Sequence, residues 1–275
     1  MAVSVIGIAD AVLAALAQKR QIAPITDGEP DFGLDAAYAV ADAVTAARIA
    51  RGETPAGWKI GFTNRLIWDQ YGVHAPIWGP VYDRSVIHAE AGEAGPVVLS
   101  AAAFVEPLIE PEIVFRIARP PRSGMDDRAL LGCIDAVGHG FEIVQSIYPG
   151  WRFRAADTVA AFGMHGALVC GPLAPVAGPD RWLEALGDFA ISLLRDGEAI
   201  DRGTAANVLG GPLQALRHFV AGLEVRPLAR GIEAGDLVAT GTITRAFPVE
   251  DGQTWSTRID GLPLPGMAVA FRPAS

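Results

Sequence analysis

The chain has 275 residues, is 51% hydrophobic and carries a formal net charge of −9, with an isoelectric point near 5.0. That length and hydropathy allow one large domain with a sizeable core. The acidic balance argues against nucleic-acid or anionic-membrane partners, which call for basic patches, yet it admits anionic small molecules, because a metal ion or local cation can reverse the field in a pocket.

The first third reads as helical. Residues 5–20 are rich in Ala, Val and Leu and end in Gln18-Lys19-Arg20, cations suited to a helix C-terminus. Residues 34–51 place apolar side chains at helical spacing, and Gly52 follows as a stop. The stretch 24-PITDGEPDFG-33 between them reads as a loop. From about residue 56 the pattern changes to short apolar runs punctuated by Gly and Pro. The runs 57–63, 96–100, 112–117, 166–171, 190–197, 236–242 and 268–271 predict strands. Helices are expected near 64–71, 126–136, 181–187 and 211–223. Strands and helices do not alternate regularly, which argues against a doubly wound parallel sheet. The expectation is an α+β fold, with a helical N-terminal arm over residues 1–55 packed on a large mixed-sheet catalytic domain over residues 56–275.

The start of the chain has no basic segment, and Asp10 interrupts its apolar run, so a soluble cytoplasmic protein without a membrane partner is expected. Cys133 and Cys170 have neither zinc-site spacing nor a disulfide framework, and read as small buried residues.

The acids in 105-VEPLIEPEIVFRI-117 sit in an otherwise apolar stretch. In an extended chain Glu110 and Glu112 point the same way, and without a counter-charge two such carboxylates resist burial. A solvated strand face paired with arginines would accommodate them. So would a divalent metal site, since hard cations take clustered carboxylate oxygens. A third ligand is then needed, and Glu142, which opens the apolar run FEIV, is the best candidate. Glu106 shares the parity of the pair but is separated from it by Pro107 and Leu108, and reads as a loop or supporting residue.

The chain has twenty arginines but only two lysines, Lys19 and Lys59. Lys59, within 57-GWKIGFTN-64, stands out because positive charge elsewhere is supplied by Arg; it is a candidate for substrate binding or proton transfer. Asp83 follows a turn and is a candidate to orient Lys59 or a water, although pairing with Arg84 would equally explain it. His139, three residues before Glu142, is a candidate acid–base group, with His74 and His165 as possible pocket residues. In 235-GDLVATGTITR-245, the Gly241–Thr242 turn offers N–H and hydroxyl groups for a carboxylate. No phosphate loop, nucleophile elbow or H-E-x-x-H motif is present.

Taken in order, 57-GWKIGFT-63, 72-GVHAPIWG-79, 109-IEPEIVF-115, 141-FEIV-144, 155-AADTVA-160, 208-VLGGPL-213 and 234-AGDLVATGT-242 resemble the 2-keto-4-pentenoate hydratase and 4-oxalocrotonate decarboxylase group of the fumarylacetoacetate hydrolase superfamily. The resemblance implies a mixed-sheet fold, a Mg²⁺ or Mn²⁺ site at Glu110, Glu112 and Glu142, a catalytic Lys59, and homo-oligomers. Substrates of the group are 2-oxo or 2-hydroxydienoic acids from aromatic ring cleavage. Three positions depart from the group's usual pattern. Ile77 stands where an acid is common after the proline, Gln145-Ser146-Ile147 replaces an Asp-Ser-Arg segment, and His139-Gly140 replaces an apolar lead-in. The implied activity is a hydratase giving 4-hydroxy-2-oxo acids. The alternatives are a 4-oxalocrotonate-type decarboxylase, an acylpyruvate C–C hydrolase and a non-catalytic partner subunit.

Overall fold

The structure, a computed structural model, describes residues 4–65, 68–89 and 95–273. Its strands are β1 (Pro55–Gly61), β2 (Ile77–Tyr82), β3 (Val86–His88), β4 (Val97–Leu99), β5 (Leu108–Ile117), β6 (Ile134–Val144), β7 (His165–Cys170), β8 (Ala174–Pro175), β9 (Ala190–Arg195), β10 (Glu198–Thr204), β11 (Leu237–Thr242), β12 (Phe247–Pro248), β13 (Thr254–Asp260) and β14 (Ala268–Phe271). The helices are α1 (Val5–Ala17), α2 (Ile25–Gly28), α3 (Leu34–Ala50), α4 (Trp68–Tyr71), α5 (Asp127–Leu131), α6 (Ala155–Ala160), α7 (Pro179–Gly187) and α8 (Pro212–Val225).

The strands form two sheets. The larger runs β2-β1-β11-β5-β6-β7-β3, with β12 and β8 pairing on β5 and β6; the smaller runs β10-β9-β13-β14-β4. Pairing is mixed, with β1/β11, β3/β7 and β14/β4 parallel and the other pairs antiparallel. The α+β class and the mixed sheet agree with the sequence reading. The second sheet was not foreseen, because apolar runs reveal strands but not their partners.

Two further expectations are corrected, the first being the loop read over residues 24–33, which carries the one-turn helix α2. The helix expected over 126–136 is confined to α5. Asp126 caps it by accepting from Ala129 N at 2.8 Å, Gly132 ends it, and Ile134 already begins β6, which pairs on both sides. Of the helix expected near 64–71, α4 is present, and residues 66 and 67 lie outside the described residues.

Strand parity separates the environments of the large sheet. Ile109, Phe141 and Ile143 pack against Trp255, Val269 and Phe271 of the small sheet. Glu110, Glu112 and Glu142, two residues apart or directly across the ladder, share the opposite face with Val114, Leu168 and Ala239. The largest core cluster joins Trp58 and Ile60 of β1 to α8 through Phe219, and to α3 through the Tyr38–Trp78 stack. Ile8, Val12 and Val44 belong to that same cluster, so the N-terminal helices and the sheet share one core. No helix among the described residues is long and apolar enough to cross a membrane.

One buried acid ties the N-terminal segment to the middle of the chain. Asp157 of α6 is fully buried and accepts from Thr26 N at 3.0 Å, Thr26 Oγ1 at 2.7 Å and Arg154 N at 2.8 Å. Removing it leaves two backbone donors unsatisfied in the interior. Asp157→Ala is therefore expected to lower unfolding free energy by about 2–3 kcal/mol, and Thr26→Val by about 1. A urea-denaturation series measures both; a midpoint unchanged from wild type would refute the assignment.

Candidate metal centre and cavity

Four adjacent strands of the large sheet build the site. β1 contributes Lys59, β11 contributes Gly241 and Thr242, β5 contributes Glu110 and Glu112, and β6 contributes Glu142. Glu110 lies directly opposite Glu142 in the β5–β6 register. Like charges in that relation repel, so this pairing requires a compensating cation.

One carboxylate oxygen from each of Glu110, Glu112 and Glu142 lies within 4.8 Å of the others. Glu112 and Glu142 are fully buried and Glu110 partly so. Lys59 is the buried cation, with Nζ 3.1 Å from Glu142 Oε2 and donating to Gly163 O at 2.8 Å. Gly163 adopts φ 74°, and a Cβ there would lie 2.7 Å from Lys59 Cδ, so glycine makes room for the lysine stem as well as accepting from its head. On the other side of Glu142, His165 Nδ1 lies 2.9 Å from Oε1 and Nε2 lies 2.9 Å from Ser85 Oγ.

Glu112 is held differently. Between Ala239 and Thr242, β11 advances three residues while β5 advances two, which marks a bulge. Gly241 sits in it at φ 104°, where a Cβ would overlap Thr63 Oγ1, and its N–H donates to Glu112 Oε2 at 2.8 Å. Glu112 Oε1 has no hydrogen-bond partner although it is buried. An unpartnered buried carboxylate oxygen, facing two further carboxylates, has the chemistry of an oxygen-ligand site for a hard divalent cation. The donor set fits such an ion: three carboxylates stand against one ammonium.

Proton affinities express the same imbalance. Burial, followed by the charge of Glu142, raises Glu112 well above the usual carboxylate range. Burial pushes Glu110 up to about 7 against the opposing pull of Lys59. Burial also works to raise Glu142, but the Lys59 charge and the His165 hydrogen bond outweigh it and hold this carboxyl low. Lys59 is kept protonated, because its three glutamates overcome the opposing effect of burial.

The site opens into a cavity of about 310 Å³. Lys59, Glu110, Gly241 and Thr242 line it, together with Ile77 at the position of the missing acid. The sequence candidates Lys59, Glu110, Glu112, Glu142, Gly241 and Thr242 are thus brought together. Thr242 Oγ1 itself donates to Thr244 O at 3.0 Å.

Two candidates are not brought here. Asp83 is exposed and outside the cavity lining; its Oδ1 accepts from Thr54 N at 3.0 Å and Arg84 N at 2.9 Å, holding a surface turn, and those bonds keep its carboxyl below the usual range. His139 lies on the opposite face of β6 from Glu142, because a spacing of three reverses parity. Its Nδ1–H donates to Glu112 O at 2.9 Å, Nε2 accepts from Thr257 Oγ1 at 2.8 Å, and burial lowers its pKa to about 4. It joins the two sheets as a neutral ring. His74 does not line the cavity. His165 acts on the site through Glu142, and Glu106 is an exposed loop residue. Gly163 was not anticipated. Nothing in the sequence marked it; only the structure shows that it lies in 161-AFGMHG-166 between two residues, Phe162 and Met164, that also adopt positive φ. Such clustering of unusual backbone is common at functional sites.

Known proteins resemble this chain over most of its length. Residues 85–266 match the family described as fumarylacetoacetate (FAA) hydrolase C-terminal. The chain is 30% identical to a 2-keto-4-pentenoate hydratase of Paraburkholderia xenovorans, over 92% of this chain and 90% of that protein. It is 29% identical to a 2-hydroxyhexa-2,4-dienoate hydratase of Comamonas testosteroni, over 90% of each chain. A solved structure of 4-oxalocrotonate decarboxylase from Pseudomonas putida G7, complexed with magnesium and adipate, superposes with a TM-score of 0.87 at 26% identity, over 97% of both chains.

The carboxylate cluster yields a prediction about pH. Protons bind Glu110 and Glu112 more tightly in the metal-free fold than in the unfolded chain, so the metal-free protein loses stability as pH rises from the usual carboxylate range through about 7. A divalent cation competes with those protons. Thermal denaturation with and without Mg²⁺ is expected to show an increment in Tm that grows from pH 5 to pH 8 and vanishes in Glu112→Gln. An increment that shrinks over that range would contradict the cluster as the binding site.

Proposed function

The chain belongs to the fumarylacetoacetate (FAA) hydrolase C-terminal family, and on that premise we propose that it is a divalent-metal-dependent hydratase of 2-hydroxydienoic acids and their 2-oxo-enoic tautomers, giving 4-hydroxy-2-oxo acids. The observation that carries the reading is the convergence of three carboxylates and a buried lysine on one cavity wall. The relatives named as hydratases, matched over nearly the whole chain, support it.

Glu110, Glu112 and Glu142 would hold Mg²⁺ or Mn²⁺, and the bound ion would supply Lewis-acid polarisation of the substrate's 2-oxygen and charge compensation for its carboxylate. The protein's own groups arrange the rest. His165 and Lys59 fix the two oxygens of Glu142, and the Gly241 N–H fixes one oxygen of Glu112, so the acids are oriented before substrate arrives. Lys59, protonated and buried, presents a positive charge and a proton beside the position where negative charge develops on the 2-oxygen. For 2-hydroxypenta-2,4-dienoate, the proton leaving the 2-hydroxyl is balanced by one gained at C5, which gives the 2-oxo-3-enoate. Water then adds its oxygen at C4 and a proton at C3. Apolar neighbours such as Ile60, Ile77 and Met164 limit bulk water in the cavity.

The decarboxylase structure superposes over almost the whole chain, so loss of CO₂ from a 2-oxo-dioic acid is the second reading. The same charged groups would stabilise the enolate left behind.

A paired assay separates the readings. The Mg²⁺-loaded protein is incubated with 2-hydroxypenta-2,4-dienoate and with 4-oxalocrotonate, and dienol absorbance and CO₂ are followed separately. Hydrated product from the dienoate is expected, whereas CO₂ release without hydrated product would reverse the order. Lys59→Met is expected to lower kcat/KM by about 10²–10⁴-fold while leaving Mg²⁺-dependent stabilisation in place. A loss smaller than tenfold would remove Lys59 from the chemistry.

A further inference from the structure

Two turns support the Lys59–Glu142 pair. The first is 162–164, where Phe162, Gly163 and Met164 adopt φ 41°, 74° and 63° in succession. Its Gly163 carbonyl is the acceptor for Lys59 Nζ. The turn lies so close to β2 that a Cβ at Gly79 would stand 2.4 Å from Phe162 O. Left-handed backbone at Phe and Met is costly, and it persists only where the surroundings hold it.

The second turn is 82–85. Ser85 Oγ donates to Tyr82 O at 2.9 Å and accepts from Tyr82 N at 3.2 Å, which fixes the hydroxyl 2.9 Å from His165 Nε2. His165 in turn holds Glu142 Oε1. Each turn therefore secures one half of the ion pair.

The ring at each turn meets the same guanidinium. Arg48 Cζ, from α3, lies 3.7 Å from the Tyr82 ring centroid and 5.0 Å from that of Phe162. The two rings stand edge to face, 6.4 Å apart at 87°. Both distances are within cation–π range, and a planar guanidinium stacks on a ring as an ammonium does not. The rings are buried, and the Arg48 side chain is only 15% exposed. Its orientation is fixed by Glu53: Nε lies 3.1 Å from each carboxylate oxygen, and Nη2 donates to Oε2 at 2.6 Å. One helical turn earlier, Thr45 Oγ1 accepts from the Tyr82 hydroxyl at 3.1 Å. Pairing with Glu53 at the surface would satisfy the Arg48 charge without desolvating it. Burial against these two rings instead ties α3 to both supports of the pair.

We propose that Arg48 is a positioning residue for the active site: by clamping Phe162 and Tyr82 it sets the Lys59 ammonium through Gly163 O, and the orientation of Glu142 through Ser85 and His165. Arg48 is not among the residues that line the cavity, so it acts only through these turns. This role rests on the active-site reading above and adds to it a residue from the N-terminal helices.

The test measures Mg²⁺ affinity by calorimetry and turnover of 2-hydroxypenta-2,4-dienoate, both on the full-length protein. Arg48→Met loses the guanidinium, and Arg48→Lys keeps the charge but loses the planar face. Each is expected to weaken Mg²⁺ binding about tenfold and, at saturating Mg²⁺, to lower kcat about tenfold, with kcat/KM falling alongside. Tyr82→Phe, which keeps the ring, should stay within about threefold of wild type on both readouts. Arg48→Met combined with Phe162→Leu should cost little more in kcat than either change alone, as for two members of one path. An Arg48 that serves only the fold would lower Tm yet leave Mg²⁺ affinity and kcat within about threefold of wild type, and that result would overturn the role. Fully additive losses in the double variant would overturn it as well. If Arg48→Met fails to fold, Arg48→Lys decides by the same two readouts. Wild type that binds Mg²⁺ but does not turn over the dienoate would remove the hydratase reading and leave Mg²⁺ affinity to decide this one. Wild type that binds no Mg²⁺ would sink both.

Discussion

Repulsion among three carboxylates on one face of a sheet is the constraint from which the rest of this site follows. Glu110 and Glu142 face each other across a ladder, and Glu112 lies one pleat further along. A fold that buries this arrangement must supply positive charge, and a single ammonium, Lys59, is supplied within the chain. The remaining imbalance is a standing demand for a cation. Its strength lies in the low polarity of the surroundings, because the same acids in water would tolerate one another.

The local devices serve that constraint. The bulge in β11 turns a backbone N–H towards Glu112, the missing side chain of Gly163 admits the lysine stem, and His165 fixes the remaining oxygen of Glu142. Each holds an acid in one orientation without cancelling the site's negative charge. The aromatic face of the cavity, formed by Phe62, Tyr71, Phe153 and Trp151, meets a different requirement. Where the acids need polar partners, the exclusion of bulk water needs an apolar wall, and the two surfaces share one cavity.

Much of this was legible in the sequence. Apolar runs between Gly and Pro located β5, β7, β9, β11 and β14, and the parity of Glu110 and Glu112 placed them on one face. The scarcity of lysine drew attention to Lys59. The second sheet was hidden because β10 and β13 lack an apolar run and are identifiable only by their partners. Parity, had it been applied to His139, would have set it on the far side from Glu142; proximity in sequence was a poor guide there. Asp83 read as a possible partner for Lys59 because nothing in the sequence shows that the acid turns outward to cap Thr54. The aromatic face joins four residues from three separate segments of the chain, one of them the helix α4, and no local pattern announces it.

The buried clasp between Asp157 and Thr26 bears on how the N-terminal helices should be regarded. Thr158, the next residue along, lines the cavity, so the helix that carries it is secured from behind by a segment more than a hundred positions earlier in the chain. The opening helices are thus a buttress for the reaction chamber rather than an accessory lobe. Relatives of this fold that lack such a segment would have to brace that wall by other means, and variation in the first fifty residues becomes a route by which catalysis can be tuned without altering a single residue that meets the substrate.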